Sequence, residues 1–198
     1  MYFFTSDPHF NNWETLRNDN RPFKTPKAFD RFVIKTWNKQ AKKGDTIFVV
    51  GDFLDCDDET CTRWQKAATY AKKLKADVVL ILGNNEKRII KFFFENSFKK
   101  FRSFCLENGF KEVYENLELD FLGQTFYLTH KPLDYKRGML NLFGHMHRGG
   151  GIYKPFGFNI GCDLNHFRLY SENDIKHLIK MKELYWDKDE HINMKEVK

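Results

Sequence analysis

The sequence predicts an α/β fold, and three observations carry that expectation. Short apolar runs stop abruptly at a polar residue or a glycine, helical periodicity fills the stretches between them, and 198 residues suffice for one buried core. Hydrophobic residues make up 41% of the chain and charged residues 30%, with 21 phenylalanines, a balance that excludes disordered and membrane-spanning classes.

The first strand is expected over residues 2–5, just before Ser6-Asp7. Thr25-Pro26 then reads as a helix start, after which Ala28, Phe29, Phe32, Val33 and Trp37 share one face. A second strand over 46–50 ends at Gly51-Asp52, residues 64–74 carry apolar positions at helical spacing, and a third strand over 78–82 runs into Gly83-Asn84. The first half is therefore β-α-β-α-β.

Next, Lys87, Arg88, Lys91, Lys99, Lys100 and Arg102 interleave with phenylalanines. Phe98, Phe101 and Phe104 or Cys105 lie three or four apart, which predicts short amphipathic helices with apolar faces inward and solvated lysines. The competing reading is a basic platform for nucleic acid. Residues 117–122 and 125–129 around Gly123-Gln124 predict an antiparallel hairpin, with further strands over 139–143 and 156–160. A last helix should begin at Ser171, with Asp174 completing a capping box and Ile175, Leu178 and Ile179 as its apolar stripe. One domain over 1–185 and a polar tail over 186–198 are expected.

The four cysteines, Cys56, Cys61, Cys105 and Cys162, form no CxxC pair, the opening residues read as a strand, and no apolar run approaches the roughly 18 to 20 residues of a spanning helix. A cytoplasmic protein with no membrane partner is expected, in the host cytoplasm if the chain is phage-encoded. The net charge of +6 favours phosphate-bearing substrates or polyanions.

The chemistry concentrates at the ends of the expected strands: Asp7 and His9 after the first, Asp52 after the second, Asn84 after the third, His130 after the hairpin, His145 and His147 after another. Taken singly, these are strand-terminating turns or capping residues. Together they place seven oxygen and nitrogen donors at the sheet edge where α/β proteins bind ligands. Such a set suits two divalent transition metals, with manganese, iron, zinc, cobalt or nickel preferred over calcium or magnesium. Two ions about 3.5 to 4 Å apart share a carboxylate and a hydroxide, lower the pKa of that water towards about 7, and clamp phosphoryl oxygens.

In their order, Asp7-Pro8-His9, Gly51-Asp52, Gly83-Asn84, His130 and Gly144-His145-Met146-His147 resemble the ligand motifs of calcineurin-like metallophosphoesterases, over most of the chain. Phe4-Thr5-Ser6-Asp7-Pro8-His9-Phe10, Asn20-Arg21-Pro22-Phe23 and Trp37-Asn38 are similar to the small bacterial and phage-type members. The resemblance implies a layered sandwich of two mixed β-sheets flanked by helices. It also implies one metal on Asp7, His9 and His147, another on Asn84, His130 and His145, Asp52 as the bridge, and manganese as the metal. Its substrates are phosphomonoesters or phosphodiesters, nucleotides and nucleic acids included.

The chain departs from that pattern at Asn85, where the family places the histidine that donates a proton to the leaving group. An amide cannot do this, and general acid catalysis contributes about 10² to 10⁴-fold. Three readings follow: a phosphodiesterase in which Asn85 at most orients substrate, a replacement acid such as His166, or a non-catalytic metal-binding module. A nucleotide or protein phosphomonoesterase is the rival enzyme. Arg21, Arg88 and Asn84 are expected to contact substrate phosphate, with a salt bridge fixing its loop as the alternative for Arg21. Arg148 and the glycines at 149–151 read as substrate contacts or as a hairpin turn.

Overall fold

The computed structural model describes residues 1–153 and 157–186, and side-chain alternation along three strands decides its architecture. β1 (Tyr2–Thr5), β2 (Thr46–Val50) and β3 (Asp77–Ile81) lie parallel in register. Phe3, Ile47, Val49, Val78 and Leu80 join one apolar cluster, whereas Phe4, Phe48, Val50, Val79 and Ile81 join another. A sheet buried on both faces needs such unbroken apolar runs.

The first cluster is covered by helices. α1 (Trp13–Asn18) and α2 (Pro26–Gln40) follow β1, α3 (Arg63–Ala68) follows β2, and α4 (Asn84–Phe93) and α5 (Phe98–Glu107) follow β3. They contribute Leu16, Phe29, Val33, Trp37, Trp64, Ile89 and Phe101 to that core. As the periodicity predicts, Phe101 and Cys105 are buried, Phe98 and Phe104 pack on the same cluster, and the intervening lysines are exposed. β4 (Glu112–Tyr114) adds a fourth parallel strand beside β3.

The second cluster faces another sheet. The hairpin of β5 (Leu117–Phe121) and β6 (Gln124–Leu128) forms as expected, β7 (Leu140–Phe143) pairs parallel to β6, and β8 (Ile152–Tyr153) and β9 (Gly157–Asn159) complete the order β5-β6-β7-β9-β8. β10 (Tyr170–Ser171) returns antiparallel to β1, giving the first sheet the order β10-β1-β2-β3-β4. Both sheets are mixed and flanked by helices, as the resemblance implies.

α6 (Glu172–Met181) starts with the predicted capping box, in which the Ser171 hydroxyl accepts from Asp174 N–H and the Asp174 carboxylate accepts from Ser171 N–H. Residues 64–74 depart from expectation: α3 stops at Ala68 and a short 3-10 turn covers Ala71–Lys73. The Thr69 hydroxyl bonds back to the Lys66 carbonyl and Tyr70 N–H to Ala67, which tightens the last turn and ends the helix. Phe156, expected in a strand, and residues 187–198 of the expected tail lie outside the described residues. Among those described, no helix is long and apolar enough to cross a membrane.

Candidate metal centre

Parallel register brings distant residues to one edge. Asp7 lies two residues past β1, Asp52 two past β2 and Asn84 at the first turn of α4, while His130 lies two past β6 and His145 two past β7. Backbone bonds lock these turns together: Asp7 N–H to Gly51 carbonyl at 3.1 Å, His9 N–H to Asp52 carbonyl at 3.0 Å, and Gly144 N–H to His130 carbonyl at 3.0 Å. Approach is so close that a Cβ on Gly83 would collide with the Asp52 carboxylate, and one on Gly51 with the His130 ring.

Three imidazoles are held by their Nδ1 atoms. His9 Nδ1 lies 2.7 Å from Asp55 Oδ2, His147 Nδ1 lies 2.6 Å from Asp19 Oδ2, and His130 Nδ1 donates to the Val50 carbonyl at 2.9 Å. Acceptors on Nδ1 select the tautomer whose Nε2 lone pair is free, as metal-binding histidines require. Those Nε2 atoms converge: His9 and His147 are 3.2 Å apart, and Asp7 Oδ1 lies 3.9, 3.9 and 3.7 Å from His9, His130 and His147. Two bare lone pairs 3.2 Å apart repel unless a proton or metal ion is shared between them.

The residues fit metal ions on a second count. Asp7 Oδ1 is completely buried and makes no hydrogen bond, a costly state for a carboxylate oxygen unless a cation meets it. Among the described residues three donor groups satisfy metal-site spacing: Asp7 with His9 and His147, Asp7 with Asp52 and His130, and Asp19 with His147 and Asp163, the last using the acceptor that holds His147 Nδ1. Asp52 Oδ2 lies between the two histidine sets, 3.6 Å from His9 Nε2 and 3.5 Å from His130 Nε2. His130 Nε2 also faces Asn84 Oδ1 at 3.1 Å. The His145 imidazole lies at the exposed rim, 5.1 Å from the His130 ring between centroids, outside all three groups.

The local field favours positive charge. Burial disfavours the charged His9 ring, yet the Asp55 hydrogen bond and the Asp52, Asp55 and Asp7 charges outweigh it and raise its pKa to about 9. His130 likewise rises to about 9, against burial, through Asp7 and Asp52. Burial would raise the Asp52 pKa, but bonding to His130 and the charges of His130 and His9 hold it well below the usual range. A set of donors that attracts protons this strongly offers the same field to a divalent ion.

Arg21 and Asn85, both expected to face substrate, are turned inward. The Arg21 side chain is 1% exposed. Its Nε and Nη2 pair with both oxygens of Asp163, while Nη1 donates to the Pro8 carbonyl and Nη2 to that of Asp7. Of the two readings of Arg21, the salt bridge that fixes its loop holds and the phosphate contact is corrected: the side chain braces the Asp7-Pro8 turn. Asn85 is also buried, its Nδ2 donating to Asp52 Oδ2 at 2.8 Å and its N–H to Asp52 Oδ1 at 3.0 Å, so its amide orients the carboxylate and not a substrate. Asn84 points its oxygen at His130, which suits ligation. Arg88 stays exposed beside the centre, lining the same cleft as Asn84 and His130.

The residues that sequence reasoning missed are the supports Asp19, Asp55 and Glu86. Glu86, fully buried, accepts N–H bonds from Asp52, Leu54 and Gly83 at 2.9, 2.9 and 2.8 Å. Its position as the acid two residues after Asn84 was a visible signal, whereas nothing in local spacing marks Asp19 or Asp55.

A two-sheet α/β sandwich with buried imidazole and carboxylate donors converging at its strand ends defines the class of metal-dependent hydrolases. The chain belongs to the calcineurin-like phosphoesterase family, whose model matches residues 2–187. An uncharacterised protein of Methanocaldococcus jannaschii, MJ1445, is 29% identical over 85 residues, which cover 43% of this chain and 46% of that one. The match thus spans about half of that relative's length. A protein of unknown function from Aquifex aeolicus, AQ665, shares the fold at 21% identity and a TM-score of 0.65, over 90% of this chain and 98% of that one. A novel archaeal phosphodiesterase superposes more loosely, at 15% identity and a TM-score of 0.47, over 81% of each chain.

Proposed function

We propose that the protein is a dinuclear metal-dependent phosphodiesterase. The observation that carries the dinuclear reading is the place of Asp52 Oδ2, within 3.6 Å of imidazole nitrogens from both histidine sets, which suits a carboxylate shared by two ions. Asp7, His9 and His147 would hold one ion and Asn84, His130 and His145 the other; the mixed oxygen and nitrogen donors suit manganese, iron, zinc, cobalt or nickel, and the family resemblance favours manganese. Divalent ions held there would supply Lewis acidity to phosphoryl oxygens and would lower the pKa of a bound water towards about 7.

The chain's own residues set which ester is cleaved. Hydrolysis adds water at phosphorus and breaks one P–O bond, leaving an alcohol oxygen that needs a proton. Asn85 stands where the family's sequence motif has the donor, and its amide is bound to Asp52. The transition state of a monoester is loose and places charge on the leaving oxygen, so lack of an acid falls hardest on alkyl monoesters.

The test compares bis-p-nitrophenyl phosphate with p-nitrophenyl phosphate in added manganese. Faster turnover of the diester is expected, and faster turnover of the monoester would overturn the preference. Asn85→His should then raise p-nitrophenyl phosphate turnover by about 10² or more.

A further inference from the structure

Two clefts border the centre, one at Asn84 and His130 and the other at Asp19, the support of His147, and their linings differ in kind. The first, of about 310 Å³, shares Asn84 and His130 with the centre. Lys87, Arg88 and Lys91 line it from the exposed face of α4 and Lys131 from the loop after β6, against a single carboxylate, Asp134. Lys87 and Lys91 are one helical turn apart, so both ammonium groups reach the same side. Four cations against one acid, beside a centre that takes one phosphate, make a place for a second phosphate.

The other cleft, of about 470 Å³, reaches the centre through Asp19, the acceptor for His147 Nδ1. Its apolar lining is Phe23, Phe32 and Phe167, with ring centroids 5.1 to 6.5 Å apart, and Arg148 and His166 stand on its rim. Phe32 is 43% exposed, whereas the other aromatic residues of its helix, Phe29 and Trp37, are buried.

The third ring, which also packs edge-on against buried Phe29 at 5.3 Å, stands on strained backbone. His166 and Phe167 are consecutive non-glycine residues at φ 52° and 60°, pinned by Phe167 N–H to the Cys162 carbonyl at 2.8 Å and by Trp37 Nε1 to the Phe167 carbonyl at 3.1 Å. Strain of this kind persists where surrounding structure enforces it, and it gathers at ligand sites.

We infer that the substrate is a nucleotide-containing phosphodiester: a nucleobase stacks in the Phe23, Phe32 and Phe167 cleft, the scissile phosphate lies over the centre, and a second phosphate lies over Lys87, Arg88 and Lys91. This deepens the phosphodiesterase reading and rests on it for the scissile position. Flat faces accept any base, and lysines accept any phosphate, so neither cleft reads sequence. The same chemistry is offered by a terminally phosphorylated dinucleotide and by a single strand.

The test pairs turnover with binding. In manganese, the ratio of kcat/KM for dithymidylate bearing a terminal phosphate to that for the unphosphorylated dinucleotide should exceed about fivefold and collapse towards one in Lys87→Ala/Lys91→Ala. Phe32→Ala, a change at an exposed position, should weaken binding of fluorescein-labelled oligothymidylate, read by anisotropy, by about five- to a hundredfold.

If bis-p-nitrophenyl phosphate is hydrolysed but neither variant changes the ratio or the binding, this inference falls and the phosphodiesterase reading stands. If nothing is hydrolysed but both variants weaken the labelled strand, the clefts are nucleotide sites and the hydrolase reading falls. Chain length separates the sources. A 12-residue strand that binds more tightly than the phosphorylated dinucleotide, with affinity falling steeply in salt, marks a nucleic acid, and equal affinities mark a small diester.

Discussion

Asp7, His9, Asp52, His145 and His147 all hold positive φ, between 41° and 68°, although none is a glycine. Each such residue costs about 1 to 3 kcal/mol, so five of the seven proposed donors sit in backbone that local preference opposes. Supports from elsewhere offset this strain, and Arg21 is the plainest of them. It binds the carbonyls of Asp7 and Pro8 on one side and the buried Asp163 carboxylate on the other. Arg21→Ala should therefore destabilise the fold by about 3 to 5 kcal/mol, because it strands a buried carboxylate. Urea unfolding checks this. A variant of unchanged stability whose KM alone rises would restore the substrate role that its motif suggested. The motif was legible in the sequence; the direction of the side chain was not, since a guanidinium serves phosphate and carbonyl equally well.

At the scale of elements, the turn into α4 does most to organise the centre: Asn84 faces His130, Asn85 holds the Asp52 carboxylate and Glu86 holds the Asp52 backbone. The strand ends were readable because buried parallel strands are continuous apolar runs with abrupt polar stops. β4 escaped notice because it is three residues with one buried side chain, Val113, and α1 because a six-residue helix gives little periodicity. α2 carries a support of another kind. Asp30 is 3% exposed and accepts the Asn11 N–H at 3.1 Å, tying α2 to the loop after β1. Burial pushes its pKa up to about 6, against the lowering pull of Asn11, Tyr70, Lys66 and Lys73. The folded protein thus holds this proton more tightly than the unfolded chain. Its contribution is fully present below about pH 4 and is lost as pH rises through about 6. Asp30→Asn keeps the acceptor for Asn11 and removes the titration. Relative to wild type, the variant should gain on the order of 1 to 3 kcal/mol between pH 4 and pH 8. Equal pH slopes in denaturant melts of the two proteins would refute it.

Across the whole molecule, two cores meet at one edge: helices pack the outer face of the first sheet, the second sheet packs the inner face, and both sheets' strand ends border the donors. This convergence explains why seven residues scattered from position 7 to 147 were legible as a set while their supports were not. Ligand residues recur at strand ends, but Asp19 and Asp55 act through contacts that only tertiary packing creates. It also couples the centre to global stability. Without cations, buried Asp7 Oδ1 lacks a partner and the Asp7 and Asp52 carboxylates confront each other across the same space. Ions that bind only the folded state stabilise it by mass action, about 2.7 kcal/mol at a concentration 100 times Kd. For a chain of this size that raises Tm by about 5 to 10 °C. Thermal melts of protein stripped by a chelator and reloaded with manganese should show that rise, and Asp52→Ala should lose most of it, because both proposed ions share that carboxylate. A full shift retained in Asp52→Ala would refute the shared position of Asp52, and no shift in wild type would refute the metal centre itself.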